Sequence, residues 1–187
     1  MVTSTSFVAE TPASAPLTPK GPSPEPTVTA RDVRALLDAT VADITAAFDG
    51  ELGVATMGER GPVTAGFADP TPAWSTMKVP IAVAATRTQP GLESDVRAAI
   101  TVSDNEAAGR LFDAVGPDAV DSVLSEAGVP AQVNMVDLRP EFSTFGQTLL
   151  SAADEAVLAD SLPCADGSGP VLGYMGQVEA SQRYGLG

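Results

Sequence analysis

The stretch AWSTMKVPIAVAA, residues 73–85, places one lysine inside an apolar segment. Valine, isoleucine and alanine follow Lys78, so the segment predicts a buried helix that begins near Trp74. Ser75 precedes Lys78 by three residues, and this spacing places both side chains on one face of a helix. Pro80 removes a backbone N–H that the helix would use, so we expect an irregular first turn.

Lys78 is chemically unusual in this chain. The sequence has two lysines and eight arginines, and the other lysine, Lys20, lies in a proline-rich segment. Arginine keeps its proton in proteins, whereas a desolvated lysine has a lowered pKa and can act as a base. Such a base would activate the Ser75 hydroxyl. The alternative is a capping serine with a lysine that extends to solvent, because Ser-x-x-Lys arises by chance roughly once in a chain of this size.

Composition excludes several classes of function. A formal net charge of −14 and a pI near 4.1 argue against nucleic-acid binding. No apolar stretch is long enough for a transmembrane segment, and we expect no signal peptide in these residues. Histidine is absent, which excludes a Ser-His-Asp or Cys-His arrangement and a histidine-ligated metal. The one cysteine, Cys164, is predicted to be a small buried residue.

The chain divides into a linker and one folded domain. Residues 1–29 hold six prolines, six threonines and four serines, which predicts a disordered linker. From Thr29 the pattern predicts a helix, then two strands, ELGVATM and GPVTAGF, and helices thereafter. The segment from Gln132 to Gln147 has no period and is predicted to be a functional loop. Residues 30–187 are thus expected to form an α+β domain.

A second motif, Ser103-Asp104-Asn105, opens one of the predicted helices. Ser103 and Glu106 have the spacing of a capping box, which would need no catalysis. A Ser-Asp-Asn triplet is nevertheless expected by chance in only about one chain in thirty of this length. Its presence together with Ser75 and Lys78 favours a chemical role.

The two motifs together resemble the serine β-lactamase and penicillin-binding-protein group, whose signature is S-x-x-K, S-D-N and K-T-G. The order of a helix, two strands and the nucleophile helix is similar to class A β-lactamases. The ending VLGYMGQVEASQRYGLG, residues 171–187, resembles the helix that precedes their third motif. The sequence also resembles short actinobacterial-type serine hydrolases with a class A β-lactamase-like domain, and the resemblance covers roughly residues 30–187.

The resemblance implies a role for each motif residue. Ser75 would be the acylated nucleophile and Lys78 its base or proton relay. Ser103 would pass a proton to the leaving nitrogen, Asn105 would hold the substrate amide, and Asp104 would brace the loop. It implies a β-lactam or peptidoglycan-like amide as substrate, no cofactor or metal, and an exported or cell-envelope location.

Glu141 follows Arg139-Pro140, about where class A enzymes keep the glutamate that activates the deacylating water. The surrounding RPEFSTFGQT lacks an E-x-x-L-N pattern, and a solvated loop carboxylate is the favoured interpretation.

Two departures qualify the resemblance. The stretch between Ser75 and Ser103 is much shorter than in class A enzymes, and no K-T-G follows Ser103. We therefore expect a β-lactamase/DD-peptidase-like helical subdomain, with an N-terminal helix and a β-hairpin, without the C-terminal sheet strands and with impaired turnover. The alternatives are a noncatalytic cell-envelope binding module on the same scaffold, and a helical structural domain in which both motifs are helix caps.

Overall fold

The computed structural model describes residues 30–183, so the predicted linker of residues 1–29 and the start of the first helix at Thr29 lie outside the described residues. Within this range the chain is a mixed helix and strand fold. The helices are α1 (Ala30–Ala47), α2 (Lys78–Thr88), α3 (Glu93–Thr101), α4 (Asn105–Val115), α5 (Pro117–Glu126), α6 (Ala152–Ser161) and α7 (Ser168–Met175). The strands are β1 (Gly53–Gly58), β2 (Gly61–Gly66), β3 (Thr71–Pro72) and β4 (Leu149–Leu150).

Helix α2 forms the centre of the core. It contacts α3, α4, α5 and α7, and the side chains from Ile81 to Ala85 are buried. Alanine and valine on all sides of α2 allow four helices to approach it closely, because small side chains leave room for neighbouring backbones. Leu111 of α4 and Leu124 of α5 pack into the same cluster. The nucleophile candidate therefore precedes a helix whose side chains are packed against four others.

The predicted β-hairpin is present. β1 pairs antiparallel with β2, from Gly53 opposite Gly66 to Gly58 opposite Gly61. The hairpin contacts α1 and α6, which supply the packing that two strands alone would lack. None of the helices within residues 30–183 is long and apolar enough to cross a membrane.

A second, two-residue ladder was not predicted from the sequence. β3 pairs antiparallel with β4, and Ala73 N–H donates to the Thr148 carbonyl oxygen at 2.8 Å just beyond the ladder. The ladder joins segments about 80 residues apart in the sequence, a separation that no local pattern reveals. The ladder joins the start of the Ser75 turn to the end of the predicted loop from Gln132 to Gln147, so these two segments lie next to each other.

The position of Cys164 shows that one prediction is wrong. It was expected to be buried, but the structure places it on the surface at the end of a 3₁₀ turn, Leu162–Cys164. Leu162 fills the buried position of that turn. The apolar character of cysteine did not decide its position, because its neighbour is the larger apolar side chain.

Candidate active site

Ser75 lies in a 3₁₀ turn, Trp74–Met77, that leads directly into α2 at Lys78. The irregular first turn expected from Pro80 is therefore present. Trp74 has a φ of +48°, which a bulky side chain adopts only when its surroundings enforce it. Ser75 is the second residue of the turn, where backbone N–H groups have no partner within the turn itself. The Ser75 hydroxyl is exposed at this end of the buried helix.

The Lys78 ammonium is buried and makes three hydrogen bonds across to the second motif. It donates to the Ser103 carbonyl oxygen at 2.5 Å, the Ser103 hydroxyl at 2.8 Å and the Asn105 Oδ1 at 2.7 Å. The residue is only 3% exposed, so the snorkelling alternative does not describe its environment. The Ser103 hydroxyl in turn donates to Ser75 Oγ at 3.2 Å. The two sequence motifs thus form one continuous polar network.

This network satisfies both protonation states of Lys78. The charged amine donates three times, and the Ser103 hydroxyl then donates to Ser75. A neutral amine has two N–H donors and one lone pair. It can keep its bonds to the Ser103 carbonyl and Asn105 and accept a hydrogen bond from the Ser103 hydroxyl, whose oxygen then accepts one from the Ser75 hydroxyl. Two proton transfers, from Ser103 Oγ to Lys78 Nζ and from Ser75 Oγ to Ser103 Oγ, would convert this state into the charged amine with a Ser75 alkoxide, along hydrogen bonds that the network already contains.

Burial lowers the pKa of Lys78 below its ordinary value, and the nearby Asp104 carboxylate opposes this shift by raising it. Desolvation penalises the charged amine, whereas a neighbouring negative charge favours it. Asp104 is distant from Lys78 in the sequence, so its charge was not part of the expectation that desolvation lowers the pKa of Lys78. The direction agrees with the prediction of a lowered pKa.

Asp104, and not Ser103, is the N-cap of α4. Its carboxylate accepts from Ala107 N–H at 2.9 Å. The capping-box interpretation of Ser103 and Glu106 is therefore wrong, because Ser103 has a φ of +55° and lies before the cap. Its hydroxyl is directed to Lys78 and Ser75 instead. The bracing role that the resemblance implies for Asp104 stays a prediction.

A cavity of about 410 Å³ opens beside this network. Its walls come from the Ser75 turn, from α4 and from the loop before α6. The lining residues are Trp74, Ser75, Lys78, Asn105, Glu141, Phe142, Ser143 and Phe145. Glu141 therefore faces the same space as Ser75, although it is exposed and pairs with Arg139 at 3.3 Å. Both interpretations of Glu141, as a catalytic carboxylate and as a solvated one, remain compatible with this position.

Two further features of the site were not predicted from the sequence. The Trp74 and Phe142 rings lie with centroids 4.8 Å apart on the cavity wall. Glu155 of α6 contacts the Thr76 side chain, next to Ser75, and burial raises its pKa. The two residues of each pair are more than 60 positions apart in the sequence, so the sequence alone does not indicate that they are in contact.

Comparison with known proteins identifies the fold. No family model and no curated protein matches this chain. Among solved structures, a variant of the last common ancestor of Gram-negative class A β-lactamases matches with a TM-score of 0.62 at 20% identity, covering 77% of this chain and 70% of that one. The chain has a serine β-lactamase-like fold.

Two further β-lactamase structures agree. The enzyme from Desulfarculus baarsii matches with a TM-score of 0.62 at 18% identity, over 79% of this chain and 71% of that one. The enzyme from Burkholderia phymatum matches with a TM-score of 0.55 at 17% identity, over 84% and 75% of the two chains. The β-lactamase-like chain therefore spans about 70–75% of the length of these structures. At such identities the likeness establishes the fold, and the roles of Ser75, Lys78 and Ser103 stay predictions.

Proposed function

We propose that the chain is a serine hydrolase that transfers the acyl group of a β-lactam or D-alanyl amide to Ser75. The observation that supports this most strongly is the Ser75–Ser103–Lys78 network beside an open cavity. It supplies a nucleophile, a hydroxyl relay and a base whose pKa burial lowers, in hydrogen-bond contact from end to end. Two helix caps would not need a buried lysine that donates to both Ser103 and Asn105.

In the acylation step, Ser75 Oγ attacks the amide carbonyl carbon while its proton passes through Ser103 Oγ to Lys78 Nζ. The carbonyl oxygen becomes an oxyanion near the Ser75 backbone N–H. The C–N bond then breaks, and the leaving nitrogen takes the Ser103 hydroxyl proton, which Lys78 replaces. The products are an ester at Ser75, a free amine and a neutral Lys78.

Hydrolysis completes the proposed cycle. A water molecule adds to the ester carbonyl, the carboxylic acid leaves, and Ser75 recovers its proton. Glu141 is the carboxylate on the cavity wall that would remove a proton from this water. Asn105 would hold the substrate amide, because its Oδ1 is fixed by Lys78 while the residue remains exposed to the cavity.

A covalent adduct tests the proposal. We expect incubation with a fluorescent penicillin to add the mass of one acyl group to the protein, and Ser75→Ala to abolish the addition. Ser94→Ala, which removes an exposed serine hydroxyl from α3, is the matched control and should label like the wild type. An adduct that persists in Ser75→Ala would contradict the assignment of the nucleophile.

The sequence also supports a second candidate, a noncatalytic binding module on the same scaffold. No K-T-G motif follows Ser103, and the described residues contain only two two-stranded sheets. Such a module would bind a β-lactam or cell-wall amide reversibly. Binding without a mass increase at Ser75, measured by calorimetry and mass spectrometry on the same sample, would favour it.

We also propose a location outside the cytoplasm, in the cell envelope. The support is the composition of residues 1–29, typical of a linker between an exported domain and its anchor, and the kind of substrate proposed. Fractionation of cells that express the complete gene would test this. Recovery in the cytoplasmic fraction alone would contradict it.

A further inference from the structure

Two aromatic rings form an apolar wall beside the polar network. Trp74 is 39% exposed and Phe142 is 42% exposed, and both line the cavity that contains Ser75. Their centroids are 4.8 Å apart with an angle of 59° between the ring planes. Large aromatic side chains usually bury most of their area, so two half-exposed rings next to a candidate nucleophile have unused contact surface.

The backbone is strained where it presents the Trp74 ring. Its φ of +48° is unfavourable for any residue with a bulky side chain. Gly146 contributes to this placement, because a Cβ there would lie 2.8 Å from Ser143 Oγ and 3.6 Å from the Trp74 Cα and carbonyl oxygen. The loop therefore lies in ordinary van der Waals contact with the Trp74 backbone, and a larger residue at position 146 would crowd only the Ser143 hydroxyl. Strain held by surrounding contacts is typical of a functional position.

Arg139 fixes the wall from one side. Its guanidinium lies 4.6 Å from the Phe142 ring centroid and 5.8 Å from that of Trp74, and it pairs with Glu141 at 3.3 Å. A guanidinium over an aromatic face is attracted by the negative charge of that face. The positive charge already present disfavours a second cation at the same rings. The ligand group that fits the remaining surface is therefore a neutral aromatic one.

We propose that Trp74 and Phe142 form a subsite for an aromatic group that the substrate carries next to its reacting amide. Trp74 immediately precedes Ser75, so a ring that packs against it lies beside the reacting carbonyl. The subsite would select amides with a benzyl-like substituent over those with a small one. This inference rests on the proposed function, since it assumes that the amide reacts at Ser75.

Trp74 is the only tryptophan of the chain, so its fluorescence reports directly on this wall. The experiment uses the Ser75→Ala variant, which binds without forming an ester. The probes are the phenylacetyl and acetyl amides of 6-aminopenicillanic acid, which differ only by the phenyl ring. We expect the phenylacetyl compound to bind about 10-fold more tightly and to change Trp74 fluorescence.

Three variants in the Ser75→Ala background locate the effect. Phe142→Ala should bring the ratio of the two dissociation constants close to one, whereas Phe48→Ala removes an exposed phenylalanine of the N-terminal region and should leave the ratio unchanged. Phe142→Leu keeps apolar bulk without a ring and should give an intermediate ratio. If Phe142→Leu leaves the ratio of the two dissociation constants as it is in Ser75→Ala alone, the aromatic selectivity is overturned. A ratio near one in Ser75→Ala alone would overturn it as well.

A failure of the proposed function would give a different set of results from a failure of the subsite. In that case the two probes would bind with the expected ratio, yet the wild-type protein would show no adduct at Ser75 by mass spectrometry. Conversely, an adduct at Ser75 without any preference for the phenyl ring would overturn the subsite and leave the proposed chemistry intact. Absence of binding by both probes would overturn the subsite for this substrate class.

Discussion

The helices around α2 and the region formed by α1 and the hairpin differ sharply in burial. In α2 the side chains from Ile81 to Ala85 are at most 1% exposed. In the N-terminal region, Leu36 of α1 is 67% exposed and Phe48, just beyond α1, is 70% exposed. The site residues lie on the well-packed side: Lys78 begins α2, and Asn105 begins α4.

This difference indicates that the polar network of the candidate site is built on the well-packed part of the molecule, whereas the α1 region leaves large apolar side chains exposed. A preorganised proton relay requires side chains that packing holds in place, and the core around α2 supplies this. The α1 and hairpin region contributes to the site indirectly, through α6, which contacts both strands and carries Glu155 next to Thr76. Substitutions in the helices around α2 should therefore have larger effects on the site than substitutions in the α1 and hairpin region.

The largest expected effect is on chemistry. Lys78→Met removes the proposed base, and we expect the rate of acylation at Ser75 to fall about 10²–10⁴-fold. Lys20→Met is a matched control, because it removes the only other lysine, and it should acylate at the wild-type rate. The measurement is adduct formation against time by intact mass, with circular dichroism to check that both variants fold. Unchanged acylation in Lys78→Met would remove Lys78 from the mechanism.

The second effect is on stability and compares the two regions directly. Leu111 is fully buried beside α2, and we expect Leu111→Ala to lower the free energy of unfolding by about 2–5 kcal/mol. Leu36→Ala is the same substitution in α1, where exposure predicts a change within about 0.5 kcal/mol. Urea denaturation of the two variants measures both values. Similar losses would mean that Leu36 is covered in solution and that the burial difference does not hold there.

Sequence reasoning succeeded where the signal was local. Apolar residues at helical spacing predicted α4, Pro117 in a first-turn position predicted the start of α5, and Pro80 predicted the irregular turn before α2. It failed where distant segments meet. The cap of α4 was assigned to Ser103 because a capping box is predicted from residue spacing. In the structure Ser103 lies before the cap, and its hydroxyl contacts Lys78 instead.

The cavity wall shows the same limit. Trp74 and Phe142 are each unremarkable in the sequence, since an aromatic residue in an apolar segment or a loop is common. The β3–β4 ladder, two residues long on each side, and the hydrogen bond from Ala73 N–H to the Thr148 carbonyl oxygen help to bring the two segments together. A ladder this short leaves no alternation pattern, so its effect on the site becomes visible only in three dimensions.

A smaller effect concerns the electrostatics of the relay. Asp104→Asn keeps an N-cap side chain on α4, so we expect the free energy of unfolding to change by less than about 0.5 kcal/mol. It removes the charge that raises the pKa of Lys78, which therefore falls further. Neutral Lys78 then forms at lower pH, and the acid limb of the acylation profile should move to lower pH. A limb that stays in place would show that Asp104 does not act on the titrating base.

The smallest expected effect tests the link between the two regions at Glu155. Burial raises the pKa of this carboxyl, the neighbouring Asp154 adds to the shift, and the Thr76 hydroxyl partly opposes it. The folded state therefore binds the Glu155 proton more tightly than the unfolded state does. By linkage, this contribution to stability is present below the ordinary pKa of 4.5 and is lost as the pH rises through the raised value.

Glu155→Gln stays neutral at every pH and keeps an oxygen that can accept from Thr76. We expect its stability relative to the wild type to increase from pH 4 to pH 7, because only the wild type must ionise a half-buried group. Urea denaturation at several pH values measures the difference, and Glu59→Gln, in the exposed hairpin turn, controls for the loss of one negative charge. A difference that is constant with pH would show that Glu155 is solvated in both states. The contact between α6 and the Ser75 turn would then be too loose to connect the hairpin with the site, and the separation of the two regions would be complete.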